Sequence, residues 1–195
     1  MDIDRELKEL EKYASEKNIP IMQKDGIEYL CNYIKENNIK TILEIGTAIG
    51  YSAIKMAKVS DHINITTIEK DEERYNLAIT NIKKYNLEDR IKVILGDALV
   101  TNIEGTFDLI FIDASKGHNI DFFEKYKHNL TQTGVIITDN LSFHGLVEDE
   151  SLAITKNQKG IVKKIKIFID YLDNNKEFKT EYISVGDKIS ISIRR

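Results

Sequence analysis

The chain alternates stretches in which apolar residues recur at helical spacing with short runs that are apolar throughout. Helical spacing near the N-terminus predicts two helices, at residues 4–17 and 24–37. The apolar runs predict five strands, at residues 41–46, 64–70, 91–98, 107–113 and 134–140. The stretches between them predict helices at residues 50–59, 71–87 and around 120–130. This order of elements is typical of an α/β protein.

Strands that are apolar on both faces indicate a mostly parallel sheet covered by helices on each side. The C-terminal part differs, because a predicted helix at 159–175 is followed by two strands, 178–186 and 188–195, around a "VGDK" turn. Such a pair predicts a tight antiparallel hairpin at the end of the sheet. The expected fold is one doubly wound, Rossmann-like α/β domain over residues 1–195, in which residues 1–38 form an N-terminal helical segment.

Composition narrows the classes of protein to which this chain can belong. The 195 residues are 42% hydrophobic, which suits one domain with a sizeable core, and the net charge of −4 excludes a uniformly basic nucleic-acid binder. The lone cysteine, Cys31, excludes an intramolecular disulfide framework. Because no apolar run approaches the roughly 20 residues of a membrane span, and no signal-peptide pattern starts the chain, we expect a cytoplasmic protein without a membrane partner.

Polar residues stand where the predicted strands end. In a doubly wound sheet, ligands bind in the crevice at the carboxyl ends of the strands. The residues at those ends are Glu44, Gly46, Glu69, Gly96, Asp97, Asp113, Asp139 and Asn140. Because several strand ends share this feature, together they predict one binding crevice more specifically than any single residue does.

The stretch "EIGTAIGYS", residues 44–52, predicts a glycine-rich turn between the first strand and its helix. Gly46 and Gly50 allow the backbone to approach a ligand, and the following helix offers unpaired N–H groups. The turn departs from the dinucleotide fingerprint G-x-G-x-x-G, because Glu44 stands at the first glycine, where a carboxylate would repel a pyrophosphate. It suits a cofactor with a cationic or amino-bearing end, although a turn that serves only helix–strand packing is the alternative.

Two further strand ends favour a nucleoside cofactor. Glu69 lies 23 residues after Gly46, where an acidic residue can accept hydrogen bonds from ribose hydroxyls. Gly96, Asp97 and Ala98 end the third strand, where an adenine ring can lie. Together with the glycine turn, these positions predict a nucleoside-containing ligand over the first three strands.

Several segments together resemble a known family. The stretches "LEIGTAIGYSA", "TTIEKDEERYNLA", "GDA", "FDLIFIDASK" and "GVIITDN" are similar to class I S-adenosylmethionine-dependent methyltransferases, and more narrowly to the metal-dependent catechol and caffeoyl-CoA O-methyltransferases. The resemblance runs from Pro20 to the end of the chain. It implies a seven-stranded, mostly parallel sheet with an antiparallel last strand, and a homodimer.

The resemblance also implies roles for individual residues. It implies that Asp113 and Lys116 act in catalysis, and that Asp113, Asp139 and Asn140 hold a divalent cation. These hard oxygen ligands favour Mg²⁺, Mn²⁺ or Ca²⁺ over zinc. Lys116 is the implied base, and a lysine beside a cation and a methylsulfonium should lose its proton readily. The implied contacts with S-adenosylmethionine come from Met22, Glu44, Gly46, Thr47, Gly50, Ser52, Glu69, Gly96, Asp97, Ala98 and Asp113.

The acceptor is expected to be tRNA. The stretches "TDNLSFHGLV" and "FKTEYISVGDKISISIRR" are most similar to bacterial tRNA 5-hydroxyuridine methyltransferases, which implies that the wobble uridine becomes 5-methoxyuridine. Residues 156–166 carry five lysines and no acid, and can contact phosphates, although a solvated helix face is the ordinary interpretation. Phe143 and His144 can flank an extruded base.

Three other functions stay open on the sequence. The first is the same chemistry on a small catechol or phenol. The second is a nicotinamide-dependent oxidoreductase, which the departure from G-x-G-x-x-G disfavours. The third is a non-catalytic binding module, which has no need for Lys116 among the polar strand ends.

Overall fold

The computed structural model describes residues 3–195, with side chains described from Leu7 onward. Residues 1 and 2 of the predicted N-terminal helical segment lie outside the described residues. The helices are α1 (Ile3–Glu16), α2 (Lys24–Glu36), α3 (Tyr51–Ala57), α4 (Glu72–Lys84), α5 (Asn119–Tyr126) and α6 (Lys156–Asp173). The strands are β1 (Thr41–Ile45), β2 (Asn64–Glu69), β3 (Ile91–Leu95), β4 (Phe107–Ile112), β5 (Leu130–Thr138), β6 (Phe178–Ile183) and β7 (Ile189–Arg194).

The strands form one seven-stranded sheet in the order β3-β2-β1-β4-β5-β7-β6. Strands β1 to β5 run parallel to one another, and β7 pairs antiparallel with both β5 and β6. The strand order reverses between β1 and β4, which places a topological switch point between their carboxyl ends. The predicted Rossmann-like methyltransferase fold with an antiparallel C-terminal hairpin is confirmed.

The core lies on both faces of the sheet because successive side chains of each strand point in opposite directions. In β4, Phe111 packs with residues of α2, α3 and α4 on one face, whereas Ile110 and Ile112 pack with α5 and α6 on the other. All three side chains have no exposed surface. Burial on two faces explains why these strands are apolar throughout.

Several predicted boundaries differ from the structure: β3 ends at Leu95 instead of residue 98, α4 ends at Lys84 instead of residue 87, and α6 begins at Lys156 instead of residue 159. Strand β5 begins at Leu130 instead of residue 134, because Leu130 is buried and pairs with Phe107 at the start of β4. The C-terminal hairpin is wider than predicted, since residues 184–188 all lie between its strands. Gly186 and Lys188 in this turn have positive φ angles of 55° and 62°.

No helix within residues 3–195 has the length and apolar character that a membrane crossing requires.

Candidate active site

A cavity of about 410 Å³ opens at the carboxyl ends of β1, β2, β3 and β4. The structure brings together there most of the residues predicted to bind a ligand. Those that line it are Met22, Gly46, Thr47, Ser52, Glu69, Gly96, Asp97, Ala98, Asp113, Lys116 and Asn140. The volume suits a small-molecule ligand.

The glycine turn after β1 forms the floor of the cavity. Gly46 has a φ of 98°, and a Cβ atom there would lie 2.1 Å from the carbonyl oxygen of Asp113. Only glycine therefore fits between the ends of β1 and β4. The Gly46 N–H donates to the Ile68 carbonyl at 3.0 Å, and the Ala48 N–H donates to Glu69 Oε2 at 2.8 Å. These bonds fix the turn against the end of β2.

The carboxylate of Glu69 is oriented by hydrogen bonds from the backbone. Its Oε1 atom accepts from the N–H groups of Lys70 and Asp71, each at 3.0 Å, and its Oε2 atom accepts from Ala48. Glu69 is only 6% exposed, yet it lines the cavity. A carboxylate held in this way presents its remaining acceptor capacity to a ligand in a fixed direction.

The structure places two predicted cofactor residues, Glu44 and Gly50, outside the cavity lining. Glu44 lies beneath the turn with no exposed surface, where it accepts from Ser52 Oγ at 2.5 Å and from Thr67 Oγ1 at 2.6 Å. Burial raises the pKa of Glu44 to about 8, against the opposing effect of these two hydrogen bonds. Gly50 is the N-cap of α3, and its φ is 83°. Both residues support the turn from outside the cavity.

Three predicted metal-binding side chains meet at the edge of the cavity. The Asn140 Nδ2 group donates to Asp113 Oδ1 and to Asp139 Oδ2, each at 3.0 Å. The second oxygen of Asp139 is buried and has no hydrogen-bond partner. The electropositive N–H₂ group of the amide thus lies between two carboxylates, and rotation of the amide by 180° would present its oxygen at the same point. This donor set fits a hard divalent cation.

The negative charges of Asp113 and Asp139 are only partly balanced by positive groups of the protein. Burial raises the pKa of Asp113, and the positive charge of Lys116 and the Asn140 amide oppose that rise. Burial and the neighbouring Asp113 charge raise the pKa of Asp139, with Lys116 again opposing and Asp187 adding to the rise. A bound cation would relieve this repulsion.

Lys116 begins a 3₁₀ turn, Lys116–His118, directly above the end of β4 and lines the same cavity. The turn packs closely against α6, since a Cβ atom on Gly117 would lie 2.8 Å from Lys164 Nζ. Beside it, His118 Nδ1 lies 2.8 Å from Asp121 Oδ2. This packing holds the backbone of Lys116 at the cavity edge, while its amine remains available to a ligand.

Comparison with known proteins decides the family. Residues 2–195 match the family model described as O-methyltransferase. The chain belongs to the O-methyltransferase family. Homologous enzymes bear this name and related structures bind the cofactor, so this protein is an S-adenosylmethionine-dependent O-methyltransferase.

Individual relatives carry names of the catechol and caffeoyl-CoA type. A catechol O-methyltransferase of Niastella koreensis is 35% identical over 57% of this chain and 54% of its own. A protein of Staphylococcus aureus, provisionally named a caffeoyl-CoA O-methyltransferase, is 35% identical, with a TM-score of 0.93 over 97% of this chain and 92% of its own. An O-methyltransferase of Bacillus cereus in complex with S-adenosylhomocysteine (SAH) is 27% identical, with a TM-score of 0.81 over 97% of this chain and 90% of its own.

The sequence interpretation did not name several residues that lie in or near this cavity. Tyr51 and Phe122 line the cavity, and the Tyr51 hydroxyl donates to Glu11 of α1 at 2.6 Å. Tyr51 follows the glycine turn directly, which was a usable signal, whereas Phe122 follows a helical apolar pattern that is typical of a core. Asp187 lies in the turn between β6 and β7, near enough for its charge to act on Asp139, and no local sequence motif marks it.

Proposed function

We propose that this O-methyltransferase methylates one of two adjacent oxygens on a small aromatic diol, with a divalent cation held by Asp113, Asp139 and Asn140. The observation that carries the proposal is the meeting of these three side chains at 3.0 Å contacts beside Lys116, on the edge of the cavity. Mg²⁺ is the expected cation, with Mn²⁺ and Ca²⁺ as alternatives.

The cavity supports S-adenosylmethionine along its length. Glu69 is oriented to accept from ribose hydroxyls, and Gly96 and Ala98 line the part where an adenine would lie. The turn at Gly46 would bring backbone close to the ligand, and Met22 from the segment before α2 also lines the cavity. Bound S-adenosylmethionine would supply an electrophilic methyl group, and Asp113 lines the same cavity.

The chain's own residues would position the acceptor and remove its proton. A divalent cation in the corner would make an acceptor hydroxyl more acidic. Lys116 Nζ, in its neutral form, would take the hydroxyl proton while the oxygen forms its bond to the methyl carbon and the methyl–sulfur bond breaks. Much of the rate then comes from holding the two reacting atoms in line.

The acceptor class follows from the ligand set. Three protein ligands leave neighbouring positions open on a six-coordinate ion, which favours two adjacent oxygens on the acceptor. Catechols carry such a pair, and the names of the relatives from Niastella koreensis and Staphylococcus aureus agree with an acceptor of this type. A small catechol, free or as part of a phenylpropanoid, is therefore our first candidate.

The tRNA acceptor expected from the sequence remains a second candidate because of one surface feature. Lys156, Lys159, Lys163 and Lys166 are exposed and recur at helical spacing, so they share one face of α6. Such a face can contact phosphates. The 5-oxygen and 4-carbonyl of 5-hydroxyuracil also offer two adjacent oxygens, so the same site chemistry would serve.

Transfer of labelled methyl groups from S-adenosylmethionine would separate these acceptors. We would compare catechol, tRNA bearing 5-hydroxyuridine, and the same tRNA with unmodified uridine as the matched control. Label in catechol with none in either tRNA is the expected result. Label in the hydroxylated tRNA only would replace the small acceptor by tRNA, and that activity should then fall when Lys159 and Lys163 are changed to alanine.

A further inference from the structure

We propose that Asp187, in the turn between β6 and β7, is a positioning residue for the cation site, because it holds the loop that presents Asn140. The inference rests on the proposed function, in which Asn140 is a cation ligand. We call residues 139–145 the ligand loop.

Three residues of the ligand loop have unfavourable backbone conformations. Asn140, Phe143 and His144 have φ angles of 67°, 50° and 59°, in the left-handed region that residues other than glycine rarely adopt. Each such residue carries a conformational cost and stays in place only where its surroundings fix it. The position of Asn140 therefore depends on contacts that hold the loop.

Asp187 supplies the central contacts. Its backbone carbonyl accepts from the Ser142 N–H at 2.9 Å, and its side-chain Oδ1 accepts from the His144 N–H at 2.6 Å. The neighbouring Lys188 carbonyl accepts from the Leu141 N–H at 2.9 Å. Three N–H groups of the ligand loop donate to the hairpin turn, and Asp187 accepts two of these hydrogen bonds.

The second carboxylate oxygen of Asp187 is buried instead of exposed to solvent. Asp187 is 4% exposed, and its Oδ2 atom is buried without a hydrogen-bond partner, 3.9 Å from His144 Nδ1. Its negative charge acts on Asp139. Asp187 therefore couples to the site in two ways, through the hydrogen bonds to the loop and through its charge.

The hairpin turn itself has a separate anchor, which offers a matched control. Asp25 at the start of α2 accepts from the Gly186 N–H at 3.0 Å through Oδ2, next to Asp187 in the chain. A Cβ atom on Gly186 would lie 3.2 Å from Gly26 Cα, so α2 and the turn are in close contact. Removal of the Asp25 carboxylate perturbs the same turn but leaves the bonds to the ligand loop in place.

The test is a calorimetric titration of the full chain with Mn²⁺, and separately with SAH, for the unaltered protein and the variants Asp187→Ala, Asp187→Asn and Asp25→Ala. Asp187→Ala should weaken Mn²⁺ binding about tenfold or more, as outer residues of metal sites do. Asp187→Asn keeps an acceptor oxygen for His144 N–H and should lose less. Asp25→Ala should bind Mn²⁺ as the unaltered protein does, and SAH affinity should stay constant throughout.

Each outcome bears on one proposal. Unchanged Mn²⁺ affinity in Asp187→Ala would overturn the positioning role, and so would an equal loss in Asp25→Ala, since any disturbance of the hairpin would then suffice. Should Asp187→Ala fail to fold, Asp187→Asn decides: Mn²⁺ affinity below that of Asp25→Ala, with SAH affinity unchanged, supports the positioning role, and Mn²⁺ affinity equal to that of the unaltered protein overturns it. An unaltered protein that binds SAH but no Mn²⁺ would instead refute the proposed cation site itself.

Discussion

Replacing Gly46 by alanine tests whether the glycine turn and the end of β4 form one tightly packed unit. A Cβ atom at Gly46 would stand 2.1 Å from the Asp113 carbonyl oxygen, whereas real contacts of this kind are not shorter than 3.0 Å, so the end of β4 must move by about 1 Å. The φ of 98° adds a conformational cost of roughly 1–2 kcal/mol. Together with roughly 1–3 kcal/mol for overpacking, we expect Gly46→Ala to lower the free energy of unfolding by about 2–5 kcal/mol.

Gly105→Ala is the matched control, because Gly105 has a similar φ of 90° and a Cβ atom there would meet nothing within 4 Å. Urea denaturation of this variant should therefore show the conformational cost alone. Calorimetry should show SAH bound at least tenfold more weakly by Gly46→Ala, since misplacement by about 1 Å is costly at such sites. If Gly46→Ala matches Gly105→Ala in both stability and SAH affinity, the close contact with Asp113 is not a constraint.

Three further changes test other residues. Glu44 should make the free energy of unfolding fall as pH rises from about 4.5 to about 8, because the folded carboxyl keeps a proton that the unfolded carboxyl releases. In urea denaturation, Glu44→Gln should remove the contribution of Glu44 to this dependence on pH. An identical dependence in the variant would contradict a buried, protonated carboxyl. Lys116→Ala should lose turnover in a labelled methyl-transfer assay yet bind SAH normally, and full turnover would exclude Lys116 as the base. Asp139→Ala should weaken Mg²⁺ binding in calorimetry, and unchanged affinity would remove Asp139 from the ligand set.

The position of the site could be predicted because the sheet topology fixes it. Once strands such as 41–46 and 107–113 are recognised as parallel, their polar ends must meet at one edge. The orientation of Glu44 follows from the same pleat, because it alternates with the buried Leu43 and Ile45 and so points beneath the turn instead of into the cavity.

The role of Asp187 could not be predicted from local pattern. It contacts the ligand loop only because β7 lies beside β5, where Thr138 pairs with Ser190. That neighbour relation comes from the order of strands in the sheet, which the hairpin signal alone does not give. A homodimer, a cytoplasmic location and the organisation of residues 1–195 as a single domain stay predictions from the sequence.

The measurement that tests the central claim most directly is labelled methyl transfer to catechol in the presence of Mg²⁺, repeated with EDTA and with phenol as the acceptor that lacks the second hydroxyl. The proposed site predicts label in catechol that EDTA abolishes and that phenol does not receive, because Asp113, Asp139 and Asn140 would act through a cation that needs two adjacent oxygens. Equal labelling of phenol, or transfer to catechol that EDTA leaves unchanged, would contradict that account.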